Sequence, residues 1–187
     1  MSTAATAMEP VDPGLAPGRE CGSCTLCCKV FRIPEVDKQA GQWCRHVLQG
    51  RGCGIRETRP DVCRNFFCYW MQNGTLGPDW KPDRSKFVLY REMAGKRLGV
   101  ALDPSAPAAW RREPYYSQFK RWAAQGAAQN HQIIVFHGMR ATAVLPDRDV
   151  DLGTIVIGDR IIYHVAQHRI EVELRPAPPA STAMQGA

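Results

Sequence analysis

Eight cysteines, all lying between Cys21 and Cys68, constrain this chain more than any other feature of its 187 residues. Inert apolar cysteine has no reason to cluster so densely. A disulfide framework would be spread through the fold it staples, yet no cysteine follows Cys68. Short spacings are what a metal site requires, because a turn aims two sulfurs at one point. The N-terminus has no basic start followed by an apolar run, so it does not read as a secretory signal. No apolar stretch approaches the roughly 18 residues of a membrane-spanning helix. The expected compartment is therefore the cytoplasm, where thiols stay reduced, with no membrane partner.

The first group is Cys21-Gly-Ser-Cys24-Thr-Leu-Cys27-Cys28. A helix from Cys24 to about Phe31 would put Cys24, Cys27 and Cys28 on one face, and Cys21 would curl onto the same centre from one turn earlier. The second group is Cys44, Cys53, Cys63 and Cys68. Gly52 and Gly54 flank Cys53 and let the backbone approach a bulky centre. A second helix is expected from Pro60 to about Met71, ending before Asn73-Gly74. Cys63 and Cys68 are five apart, so they serve one site only if Cys68 lies near the end of that helix. His46 could replace a thiolate, although a surface or hydrogen-bonded histidine is the ordinary case. Trp43, Phe66, Phe67, Tyr69 and Trp70 read as a shell that keeps water out. Arg59 and Arg64 read either as counter-charges to thiolate or as solvated arginines.

Hydrophobic residues make up 44% of the chain, enough for a real core. Residues 1–18 and 175–187 are rich in Pro, Ala and small polar residues and read as a disordered leader and tail. Residues 19–84 form the cysteine segment, broken by glycines and prolines into short helices and loops. Residues 85–174 change character. Strands are expected over 86–93 and 97–104, joined by a turn at Gly95, and then over 131–138, 139–146, 152–158, 160–167 and 169–176. A helix from Pro114 to about Gln125 carries Tyr115, Phe119 and Trp122 at helical spacing. Gly158-Asp159 between two apolar runs marks a hairpin. The expected fold class is α+β: a cysteine-rich helix and loop segment packed on a small antiparallel sheet with one or two helices.

The wording Cys21-x2-Cys24-x2-Cys27-Cys28, Trp43-Cys44-x-His46, Gly52-Cys53-x-Ile55 and Arg59-Pro60-x2-Cys63-Arg64-x-Phe66-x-Cys68-x-Trp70 resembles the CxxCxxCC family of zinc- or iron-chelating domains. Arg56 departs from the tyrosine of many relatives, a difference of packing. The resemblance implies an iron–sulfur cluster or a chelated metal ion. Its best-known members, the flagellin lysine N-methylases, are longer, cluster-bearing enzymes that use S-adenosylmethionine. No glycine-rich strand–helix turn for a nucleotide cofactor occurs here, so that activity is not carried over.

All eight cysteines, Cys21, Cys24, Cys27, Cys28, Cys44, Cys53, Cys63 and Cys68, are thus candidate metal ligands. They would form two four-thiolate sites, or one cluster with the other cysteines beside it. An iron–sulfur cluster of the 4Fe–4S type is the leading cofactor, since C-x2-C-x2-C is the heart of the bacterial ferredoxin run, although the x3-C-P continuation is missing. Zinc is the alternative, and a closed four-thiolate zinc site would be structural. Three functions follow: electron transfer or a cluster-dependent reaction with a redox partner or protein substrate, a structural zinc module that mediates interactions, or a protein lysine methyltransferase-like enzyme. Cysteine–histidine proteolysis would need one activated thiol rather than eight. His131, His137, His164 and His168 read as core or surface residues. The net charge of +6 is modest, and the basic residues lack aromatic interleaving, so nucleic acid is not indicated.

Overall fold

The computed structural model describes residues 14–166 and 169–178. The fold is α+β. The cysteine segment contains helix α1 (Cys27–Val30), a two-residue hairpin of β1 (Val47–Leu48) and β2 (Gly52–Cys53), and helices α2 (Asp61–Arg64), α3 (Tyr69–Gln72) and α4 (Pro82–Ser85). Strands β3 (Phe87–Glu92) and β4 (Arg97–Leu102) follow, then helix α5 (Tyr115–Gly126). Strands β5 (Gln132–His137), β6 (Arg140–Val144), β7 (Asp149–Thr154), β8 (Arg160–Ala166) and β9 (Arg169–Arg175) complete the order.

Strands β3 to β7 form one five-stranded sheet in sequence order. It is antiparallel except for β4 and β5, which pair in parallel. Parallel neighbours need a long crossover, and α5 lies within it. Gly158 has φ 99° and makes the expected turn, but the hairpin does not form there. Instead β8 pairs with β9 as a separate ribbon. Burial explains the choice: Ile161, Tyr163 and Ile170 pack against Ile134, Ala143 and Leu145 of the sheet region. His168 lies outside the described residues, as do 1–13 and 179–187 of the expected leader and tail.

Alternation along the strands gives the sheet two apolar faces. On one face, Phe87, Leu89, Val100, Leu102, Ile133 and Val135 meet Trp80 and α5. Phe119 is fully buried there, with its ring centroid 5.7 Å from that of Trp80 and 5.8 Å from that of Phe87. On the other face, Val88 and Ala101 meet Leu26, Val30, Met71 and the thiols of Cys24 and Cys68. The cysteine segment therefore covers one end of that face, and the β8–β9 ribbon covers the rest. Even Ala16, within the expected leader, is buried and donates its N–H to Met71 O at 2.8 Å.

Both expected helices of the cysteine segment are shorter than the pattern implied. The first begins only at Cys27, so Cys24 sits in the turn before it. The second is cut in two. Asn65 leaves helical geometry after α2, and Cys68 is extended at φ −66°, ψ 155° before α3 begins. An unbroken helix would hold residues five apart about 140° apart around its axis. The break frees Cys63 and Cys68 to face different neighbours.

Candidate metal centre

All eight cysteines are free thiols. Cys21, Cys24, Cys27 and Cys68 line one cavity of about 30 Å³ beneath Phe66, Trp70 and Met71. The turn that gathers them is closed by Cys24 N–H donating to Cys21 O at 3.0 Å. Cys68 reaches the same cavity because the break before α3 turns it inward. Cys24 and Cys68 are buried, and burial raises both pKa values, Cys24 to about 11.

Cys27 sits between two other thiols: Cys28 Sγ lies 3.9 Å from its own sulfur, and the Cys21 thiol, which donates to Cys24 O at 3.4 Å, is its other sulfur neighbour. These sulfur contacts, with burial added, hold Cys27 protonated well above the ordinary thiol range. The bond from Cys27 lowers Cys21 to about 6, against burial, and the charges of Arg59, Arg56 and Lys81 add to the lowering. Cys28 is lowered by the same donor. The Cys27 S–H can be donated to only one of these neighbours at a time, so Cys21 and Cys28 compete for it.

Cys28, Cys44, Cys53 and Cys63 make a second neighbourhood. Cys44 N–H donates to Cys28 O at 3.0 Å, tying the loop that carries Cys44 to α1. The β1–β2 hairpin pairs Cys53 with Val47. Gly52, at φ 107°, presses against the first turn: a Cβ there would lie 3.0 Å from Gly22 O. Close approach to backbone is thus what Gly52 provides, and only glycine tolerates it. Cys63 is raised by burial and then by the charges of Cys28, Cys44 and Cys53. Of the three thiols expected on one face, Cys24 and Cys27 line the cavity, and Cys28 stands beside it with its sulfur 3.9 Å from that of Cys27. His46 Nε2 accepts from Arg45 Nε at 3.4 Å and its carbonyl accepts from Gly54 N–H at 2.8 Å, so it braces the hairpin.

The positive groups sort themselves. Arg64 is exposed, ion-paired with Asp61 at 3.8 Å and donating to Arg59 O. Arg59 is the arginine whose charge favours thiolate at Cys21, Cys28 and Cys63. Its Nε is buried with no hydrogen-bond partner among the described residues. A buried donor left without an acceptor costs about 1–3 kcal/mol, and an anionic sulfur centre beside it would supply one. Lys38, which the sequence does not mark, is only 4% exposed. Its Nζ donates to Lys29 O at 2.7 Å and to Phe31 O, capping the end of α1. Burial lowers its pKa, and the charges of Cys28, Cys44, Cys27 and Cys63 oppose that shift. A lysine in a polar, turn-rich stretch reads as solvated, so only the tertiary structure reveals it. Donor set and surrounding charge therefore fit a soft metal or an iron–sulfur cluster held by thiolate.

Phe66 and Trp70 form the expected wall against water, whereas Trp43 is 44% exposed and belongs to no such wall. Phe31 joins Phe66 to Tyr90, with ring centroids 5.0 and 5.2 Å apart. Behind Phe66 lies a wider cleft of about 580 Å³, reaching from Asn65 and Phe67 to Arg91 and the β3–β4 turn.

The cysteine segment is pinned to the sheet by Lys29 Nζ, 2.6 Å from Asp103 Oδ1 and 3.2 Å from Ser105 Oγ. Burial pushes the Asp103 carboxyl up, but the Lys29 and Ser105 hydrogen bonds outweigh it and hold the group below its usual range. A lowered carboxylate contributes stability above its unfolded pKa of about 3.9, and that contribution is lost as pH falls through the folded value. Asp103→Asn should therefore cost about 2 kcal/mol in urea unfolding at pH 7. The gap from wild type should close in acid, and a gap that persists there would mean the ion pair is not its source.

No known family matches the chain, and no curated protein or solved structure is similar to it. Among the described residues, no three His, Cys, Asp or Glu side chains already stand in a closed metal-holding arrangement. The thiols are neighbours that side-chain rotation would still have to draw together. No helix among the described residues is long and apolar enough to cross a membrane.

Proposed function

We propose that this chain is a cytoplasmic metal-binding protein whose clustered thiolates hold an iron–sulfur cluster, serving electron transfer with a redox partner or a cluster-dependent reaction. The observation that carries it is the gathering of Cys21, Cys24, Cys27 and Cys68 around one cavity. Three of these form C-x2-C-x2-C and the fourth comes from a distant part of the chain. A cubane needs four thiolates, and in two-cluster ferredoxins the next cysteine of the run belongs to the other cluster. A bound cluster would supply a one-electron couple. The chain's own part is to hold it through sulfur, to shield it with Phe66 and Trp70, and to offset its negative charge with Arg59 and Lys38.

A second reading is favoured by the size of that cavity. About 30 Å³ matches the room of one water molecule, so a single zinc ion enters with less movement of the walls than a cubane. Closed by four thiolates, it would be structural and would present the sheet to a partner. Anaerobic purification with a visible spectrum and counts of iron, sulfide and zinc per chain decides between them. The expected result is a brown protein with iron and acid-labile sulfide in equal amounts. Zinc without iron would install the second reading, and neither above trace level would remove both.

A further inference from the structure

Eight thiolates are twice what one tetrahedral ion or one cubane accepts. We propose that they form two separate four-thiolate metal centres, one from Cys21, Cys24, Cys27 and Cys68 and one from Cys28, Cys44, Cys53 and Cys63, which meet at the Cys27–Cys28 peptide. This rests on the metal-thiolate reading and adds the number of centres and the ligands of each.

Three observations carry the division. The cavity beneath Phe66 is lined by four cysteines and by none of the others. Cys63, before the helix break, lies outside that cavity, whereas Cys68, just past it, lines it, and the loop of Cys44 is tied to Cys28 by Cys44 N–H donating to Cys28 O at 3.0 Å. Buried Lys38 holds its Nζ on Lys29 O and Phe31 O, at the end of the helix that begins with Cys27 and Cys28, where the charges of Cys28, Cys44, Cys27 and Cys63 all act on it. Arg59 lies where its charge is felt by Cys21 on one side and by Cys28 and Cys63 on the other. Its unpartnered Nε would be shared ground between two anionic centres.

The order of ligands along the chain makes the sets unequal. Every ligand of the second set lies between Cys27 and Cys68, inside the loop that the first set closes. Joining Cys28 to Cys63 reduces that loop to a few residues on either side of the join. Closing a shorter loop loses less chain entropy. The second centre therefore assembles independently, and the first depends on it.

Titration of the metal-free, reduced full-length chain with cobalt(II), whose thiolate complexes absorb in the visible, tests this. Wild type should bind two equivalents. Cys68→Ser should lose one and keep the other at unchanged affinity, and Cys24→Ser should repeat that result. Cys53→Ser should lose the second centre and also weaken the first by roughly tenfold, from the longer loop it must then close. Circular dichroism of the β3–β7 sheet shows that each variant is folded. A wild type that binds a single equivalent overturns the division alone. So does loss of all cobalt from both Cys68→Ser and Cys53→Ser in folded chains. A wild type that binds none removes the proposed function and the division together.

Discussion

Removal of the metal should unfold residues 19–72 and leave the β3–β7 sheet standing. Regular structure in that segment is too short to hold itself. Its helices have four residues and its strands two, while isolated helices under roughly 12 residues are marginal in water. Its fully buried apolar side chains are few, Leu26, Val30, Met71 and two thiols against Val88 and Ala101, while Phe31, Phe66, Phe67 and Trp70 pack there only partly buried. Leu76 and Trp80 belong instead to the core around α5 and should stay ordered. Without a metal, Arg59 would keep an orphaned donor. Metal binding in small thiolate modules contributes about 10–16 kcal/mol at neutral pH, which here is folding energy. Hydrogen exchange measured with and without chelator should show protection lost over 19–72 and retained over β3 to β7. Protection that survives over 19–72 in metal-free protein would mean that packing alone builds the segment.

The second large effect is expected on the opposite face of the sheet. Phe119→Ala should destabilise the chain by about 4 kcal/mol. Phe119 is fully buried, and the rings of Trp80, Phe87 and Trp122 enclose it, with centroids 5.7 to 5.9 Å away. Rigid aromatic neighbours cannot collapse into the space, so the cavity term is retained in full. For a chain of this size the loss corresponds to a fall in Tm of roughly 8–16 °C. Metal content per folded chain should not change, because the thiols lie beyond the other face. A loss below about 1 kcal/mol would show that the aromatic cluster repacks.

Much of this architecture was readable from local pattern. Tyr115 and Phe119 recur at helical spacing, and α5 buries both. Apolar runs marked β3 and β4, which are buried on both faces, and alternation at Ile170, Val172 and Leu174 marked β9. The β1–β2 hairpin escaped notice because two-residue strands have no period to read. The expected helix over 60–71 rests on its end signals, Pro60 and Asn73-Gly74, whereas Val62, Cys63, Asn65, Phe66, Phe67 and Cys68 between them are weak helix formers and α2 stops at Arg64. Phe66 turns to Phe31 and the thiol cavity while Phe67 turns to the wider cleft.

Composition and spacing alone group the cysteines and point to a soft metal as the expectation, because ligand type and short separation are written in the chain. They also established the α+β class, through the change from helical to alternating pattern. Tertiary structure decided which thiol stands beside which. Cys21 and Cys68 are distant in sequence yet share a cavity, whereas Cys28, adjacent to Cys27, does not line it. It also decided that Arg59 rather than Arg64 faces the sulfurs, and that Lys38 is buried beside them. Such choices depend on where a helix stops and which face a sheet offers, and those are settled by burial across the whole molecule.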